Sequence, residues 1–281
     1  MKSLLSRRPL TSFFVLAYLG SWLMWSPWWL SRNGIGLLPY DLPFSAVAGI
    51  NQLGLFAGPF AAALLMTRLT EGREGVGRFW RRIIQWRVHA RWYAAALVVI
   101  PLAAGLGYLL TGSVVPAVDR RMPPVAITLA ITYVVYLLGG PFQEEPGWRG
   151  FALPRLQERL HPATSALLLG VIHCCWHAPL FLTDDWDTAR DEPGQLLAYL
   201  LLVVSLSFVM SWLANGSNHS VLLAILAHNG VNWGIHSGGV LGGSGTASNW
   251  PAAIGMAVLA IIAVVVTRGR LAYRPAAAQS A

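Results

Sequence analysis

Charge is scarce in this sequence. Only 11% of its 281 residues are Asp, Glu, Lys or Arg, while 55% are apolar. Soluble domains carry about 25% charged residues, so water could not solvate a globule of this composition, and the excess apolar surface calls for lipid. Cysteine is almost missing as well. Cys174 and Cys175 are the pair present, adjacent and inside an apolar segment. Neighbouring cysteines cannot close an ordinary loop, which excludes a disulfide framework and leaves core packing as their reading. No internal repeat is found. Lys2, Arg7 and Arg8 precede an apolar run as they would in a leader peptide, but no small-x-small cleavage site follows. The run from Leu10 to Leu30 is long and Trp-rich and reads as a retained membrane helix.

What the chain does have fits a bilayer. Thirteen Trp suit helix ends at the lipid interface, and 28 Gly suit close-packed membrane helices. A crossing helix needs roughly 20 apolar residues. Candidate spans fall near 10–30, 50–69, 92–112, 124–141, 164–182, 195–213, 220–236 and 251–267. The expected fold is therefore all-α, a polytopic bundle of about eight spans forming a single membrane domain over 1–281, with a disordered tail at 275–281.

The net charge of +8 is not read as a nucleic-acid surface, because the arginines lie between apolar spans. Basic residues crowd the N-terminus, the second loop (Arg73, Arg78, Arg81, Arg82, Arg87, Arg91), the fourth loop (Arg149, Arg155, Arg159) and the tail (Arg268, Arg270, Arg274). The loop after span five is acidic, with Asp184, Asp185, Asp187, Asp191 and Glu192 against Arg190. The positive-inside rule then places both termini in the cytoplasm of a plasma-membrane protein, and an even number of spans agrees. The second loop mixes aromatic and basic residues at helical spacing from Gly77 to Trp86, as an amphipathic helix on an anionic surface would.

Ionisable groups inside membrane helices are costly and default to function or to a paired structural role. Three clusters qualify. In Gln143-Glu144-Glu145-Pro146-Gly147-Trp148-Arg149-Gly150, two adjacent carboxylates cannot both be comfortable in a low dielectric. Arg149 is four residues after Glu145, on the same helix face, which leaves Glu144 as a candidate general base. An interfacial salt bridge is the plainer alternative. In His173-Cys174-Cys175-Trp176-His177 the histidines stand i and i+4 on one face, a spacing that can chelate metal. Packed, hydrogen-bonded rings are the alternative. His228 and Asn232 repeat the i and i+4 spacing. The Asn can donate to an oxyanion or simply bridge helices. A carboxylate, imidazoles on two other helices and an amide make the parts of a water-activating hydrolase. His89 and His161 fall in loops, and His219 and His236 near the ends of span seven; these read as structural. As drawn, span four ends before Glu144, while His177 lies roughly 20 Å into span five. A helix continuing past Gly139-Gly140-Pro141 would carry Glu144 inward.

These clusters resemble the CAAX-protease and bacteriocin-processing family of intramembrane endopeptidases. Its pattern is Glu-Glu-x-x-x-Arg, then Phe-x-x-x-His, then His-x-x-x-Asn or Asp. The first matches Glu144 to Arg149, the third His228 and Asn232. The second matches at His177 but has His173 where the family has Phe, so His173 either fills the Phe site or adds a ligand. With Gly58-Pro59-Phe60 and the basic loop upstream, the similarity spans about 50–235. The resemblance implies hydrolysis of a peptide bond near the cytoplasmic membrane face, with Glu144 activating water and His177 assisting or binding metal. His228 and Asn232 would stabilise the oxyanion or complete the metal site, and Glu145 and Arg149 would support the first motif. It also implies a divalent metal, expected to be zinc, on Glu144, His177 and His228, and a peptide or membrane-protein substrate. Nothing in the sequence sets the oligomeric state. Two rival readings are a non-enzymatic immunity or partner-binding protein on the same fold, and a proton-coupled transporter. The second is weakened by polar residues crowding one half of the chain, where transporters show paired repeats.

Overall fold

The computed structural model describes residues 2–111, 125–184, 186, 192–242 and 248–275, and every regular element among them is helical. In chain order these are α1 (Lys2–Arg7), α2 (Pro9–Trp29), α3 (Phe44–Ile83), α4 (Ala90–Gly107), α5 (Val125–Leu138), α6 (Pro141–Gly147), α7 (Leu153–Gln157), α8 (Pro162–Trp176), α9 (Pro193–Gly216), α10 (Val221–Gly242) and α11 (Trp250–Val266). From Ala276 onward the expected tail lies outside the described residues, as does most of the acidic run after α8.

Among the described residues, four stretches are long and apolar enough to cross a membrane: Phe44–Ile83, Ala90–Gly107, Pro162–Leu182 and Pro193–Gly216. The expectation of eight is corrected accordingly. Helix α5 has 14 residues, about 21 Å of rise against a hydrocarbon core of about 30 Å. Trp250–Val266 is likewise short. Helix α2 has the length, 21 residues, but Thr, Ser and Tyr dilute its apolar content. Helix α3 is bent twice. A π-type turn at Phe56–Phe60 surrounds Pro59, whose ring nitrogen cannot donate. Gly72 takes φ +68°, a conformation open to glycine, and separates the membrane portion from the basic segment beyond it.

Contacts between helices fix their directions. Ser21 donates to the Gly54 carbonyl and Trp25 to that of Asn51, so α2 and α3 run antiparallel. Tyr18 donates to the Ile172 carbonyl and Trp22 to that of Trp176, so α2 and α8 run parallel. Ser207 reaches Ala166 across antiparallel α8 and α9. Gly107 and Gly255 let α4 and α11 cross backbone to backbone: a Cβ on Gly255 would stand 1.9 Å from the Ala103 oxygen. Asn229 reaches Tyr133 and Trp233 reaches Leu129 across antiparallel α5 and α10.

Two end faces result. On one, Arg82 donates to the Gly150 carbonyl, Gln85 to Ser217 and Asn218, Ser220 to Gln85, and Asn215 to Leu271. Arg155 pairs with Glu71 on the same face. On the other, Asp184 N–H reaches Asn33 O, Gln195 accepts from Asn249 N–H and donates to Ser248, and Arg32 pairs with Asp41. Two buried apolar groups fill the interior. One joins α2, α3, α8 and the Trp148–Leu156 segment; the other joins α4, α9, α10 and α11. The carboxylate–histidine clusters sit where they meet.

Candidate active site

The chain does not stop at Gly139-Gly140. Helix α6 restarts with Pro141 in its first turn, where a missing N–H is harmless. Pro146 cannot donate within the helix, and a π-type turn at Trp148–Ala152 comes next, before α7. This restart carries Glu144 inward to the histidines. From Gln143 to Leu153 every residue is buried. Glu145 is 0% exposed, Arg149 2% and Glu144 4%, so these charges can persist only if paired.

The two carboxylates take different partners. Arg149 Nη1 donates to Glu145 Oε1 at 3.0 Å, and His228 Nδ1 meets the same oxygen at 2.7 Å. Glu144 Oε2 lies 2.7 Å from His173 Nε2. His177 Nδ1 faces the His173 carbonyl at 3.2 Å. A carbonyl only accepts, so Nδ1 carries the proton and Nε2 keeps its lone pair. A Cβ on Gly140 would come 3.1 Å from Glu144 Oε1 and 4.0 Å from Asn232 Nδ2, so both side chains border Gly140. Aromatic rings wall the histidines. His173 lies 4.9 Å from Trp148 and 5.8 Å from Trp176, and His177 lies 5.5 Å from Trp186 and 5.6 Å from Tyr199.

Glu144, His173 and His177 each offer one ligand atom, and these lie within 4.8 Å of one another. Of the three residues expected to hold metal, Glu144 and His177 fall in this group and His228 stands beside it. His173 joins the group, and His228 turns to Glu145 with its ring centre 6.2 Å from that of His173. The donor set fits a divalent cation: one carboxylate and two imidazoles match the His₂Glu sets of open catalytic zinc sites. His177 also has the backbone-anchored far nitrogen that metal-binding histidines use.

These groups line a cavity of about 360 Å³ together with His228, Asn232 and apolar residues such as Val47, Leu55, Leu202 and Ile235. Sequence reasoning passed over Gln52 and Gln143, joined at 2.8 Å across α3 and α6, and the tryptophan walls. Gln52 stands beside Asn51 at the start of an apolar span, and that pair of amides was the available signal.

Compared with known proteins, residues 126–234 match the family described as type II CAAX prenyl endopeptidase Rce1-like. The chain is 22% identical over 199 residues to CAAX prenyl protease 2 of Methanococcus maripaludis, covering 67% of this chain and 73% of that protein. The matched segment contains all six expected site residues and His173.

Proposed function

We propose that the chain is a member of the CAAX-protease (CPBP-like) family and an intramembrane, metal-associated endopeptidase. The observation that carries the reading is the buried meeting of Glu144, His173 and His177, with ligand atoms within 4.8 Å at an apolar-lined cavity. Glu144 takes the proton of the attacking water as general base. His173 and His177, with Glu144, would hold a divalent cation, for which we favour zinc, and it would polarise the scissile carbonyl and acidify water. Asn232 donates to the developing oxyanion. His228, whose Nδ1 meets Glu145 Oε1, delivers a proton to the leaving amine. Arg149 holds Glu145 in place.

The face bearing Arg82, Arg155 and the Arg268–Arg270 end is the cytoplasmic one, with both termini on that side. The substrate is a peptide or a membrane-protein segment. The archaeal relative is named a prenyl protease; for this chain no lipid group on the substrate is required by the proposal. The test is hydrolysis of a quenched peptide library by protein purified in detergent, wild type beside Glu144→Ala, with and without chelator. Cleavage lost in the variant and under chelation is expected. Equal cleavage by both proteins would end the assignment of Glu144.

A further inference from the structure

We propose that a cleft at the basic face, separate from the carboxylate–histidine cavity, binds one phospholipid with an anionic headgroup. The start of α4, the end of α9 and the turn after α11 form it, and its volume is about 1100 Å³. No residue lines both this cleft and the catalytic cavity, and the proposal does not depend on the peptidase reading.

Two kinds of surface meet in the cleft. At one end stand Arg87 and Arg91, both exposed, each with its guanidinium 5.2 Å from the ring centre of the preceding or following tryptophan, Trp86 or Trp92. The ion pairs of this face, Arg78 and Arg155 with Glu71 and Arg78 with Glu74, use neither arginine. No Asp or Glu among the described residues lines the cleft. His89 Nδ1 accepts from the Arg91 N–H at 3.2 Å, so a neutral ring keeps its proton on Nε2 and adds a donor.

Farther along α4 the walls become apolar. Val99 lies nine residues beyond Ala90, about 13 Å at 1.5 Å per residue, with Ala94 and Ala95 between them. Trp92 and Trp212 join α4 to α9 edge to face, ring centres 5.0 Å apart. Gly216 permits that approach, since a Cβ there would stand 2.0 Å from the Trp92 ring. The return of the chain after α11 completes the rim. Leu271 and Ala272 take φ of 46° and 57°, a conformation that residues with a Cβ rarely adopt. The turn is held by the buried Leu271, whose N–H donates to Thr267 Oγ1 and whose carbonyl accepts from Asn215 Nδ2, both at 2.9 Å. It brings Ala272 and Arg274 to the cleft.

This profile selects the occupant. The headgroup zone on each side of the hydrocarbon core is only about 5–7 Å deep. A cleft that continues about 13 Å along α4 crosses that zone and enters the acyl region. A free phosphate would use the arginine end and leave the Ala94–Val99 wall empty. A zwitterionic lipid would bring no net charge to the arginines, and a second copy of this chain would set arginine against arginine. An acylated phosphate diester suits both ends, with charge-assisted hydrogen bonds to Arg87 and Arg91 and apolar contact below.

The test is a lipid titration of the full-length protein, delipidated in neutral detergent, read by native mass spectrometry and by thermal unfolding. Phosphatidylglycerol should fill one saturable site and raise the melting temperature. Phosphatidylcholine should not compete with it at equal concentration, and inorganic phosphate should give no rise. Arg87→Gln with Arg91→Gln should weaken phosphatidylglycerol binding about 30-fold, at roughly 5-fold per basic group. Both arginines are exposed and outside the ion pairs of this face, so without lipid this variant should unfold at the wild-type temperature. Arg73→Gln with Arg81→Gln removes the same charge outside the cleft and should leave binding unchanged. Wild-type affinity in the Arg87, Arg91 variant, or an equal loss in both double variants, overturns the site. Equal binding of phosphatidylcholine, equal stabilisation by inorganic phosphate, or no binding of phosphatidylglycerol by the wild type overturns the ligand.

Discussion

The two histidines of the buried cluster are anchored in different ways, and the difference can be measured. His177 has its Nδ1 fixed on the His173 carbonyl. The Nδ1 of His173 is buried without a partner; its ring is held through Nε2 by Glu144 and packs on Trp148, Trp176 and His177. A second hydrogen bond on a ligating imidazole is typically worth about 10–100-fold in metal affinity. His177→Phe should therefore cost more bound metal than His173→Phe, read by metal analysis of the purified proteins. His173→Phe should keep the aromatic packing and the fold. Arg149→Ala leaves Glu145 with His228 as its remaining partner in an interior site. Breaking a buried pair costs about 3–5 kcal/mol, so the variant should unfold at markedly lower temperature in detergent. A melting point equal to wild type would show the pair to be dispensable. At this scale the carboxylate and histidine positions were legible, because ionisable groups stand out in apolar spans. The approach of His173 to Glu144 and of His228 to Glu145 was not, because it depends on how α6, α8 and α10 rotate against one another.

Single breaks in the chain show how much local signals convey about elements. Gly139-Gly140-Pro141 reads in the sequence as the end of a span, and in the structure it is a break after which helix resumes. Gly and Pro announce an interruption without specifying the conformation beyond it, and burial of the stretch from Gln143 to Leu153 decides it. Close helix crossings were equally hidden. A side chain on Gly255 must push α4 and α11 apart, whereas a Cβ on Gly105 meets nothing within 4 Å. Gly255→Leu should destabilise by about 1–3 kcal/mol or more, and Gly105→Leu should be near neutral, both read by thermal unfolding. The turn between α9 and α10 carries a titration. Burial first, and Arg82 second, push the pKa of His219 down to about 4 from 6.5. The unfolded chain then takes a proton that the folded chain refuses. This contribution to stability is complete above about pH 6.5 and is lost as pH falls toward 4. His219 has φ +57°, a conformation Asn tolerates. His219→Asn should flatten that slope, and an unchanged pH dependence would remove His219 from the account.

For the molecule as a whole, basic segments far apart in the sequence meet on one end face, where Arg82 reaches Gly150 and Arg155 reaches Glu71. The number of full crossings was not legible, because length and apolarity of the isolated sequence do not reveal where helices tilt, break or stop short. If the cluster holds a cation only in the folded state, a divalent metal should stabilise the whole bundle. The gain is about 2.7 kcal/mol at 100 times the dissociation constant, seen as a rise in melting temperature. His177→Phe should abolish the rise.

The polar pairs also impose a schedule on biosynthesis. Arg149 comes four residues after Glu145 and can neutralise it within one helical turn. His228, which shares the same carboxylate oxygen, comes 83 residues after it, on the order of 5–15 s of synthesis at about 5–20 residues/s. During that interval the Glu-Glu helix must reside in or beside the membrane with an incomplete set of partners. Chains truncated before α10 should accordingly remain associated with insertion machinery or be degraded, and an accessory factor that shields acidic helices would act in that window.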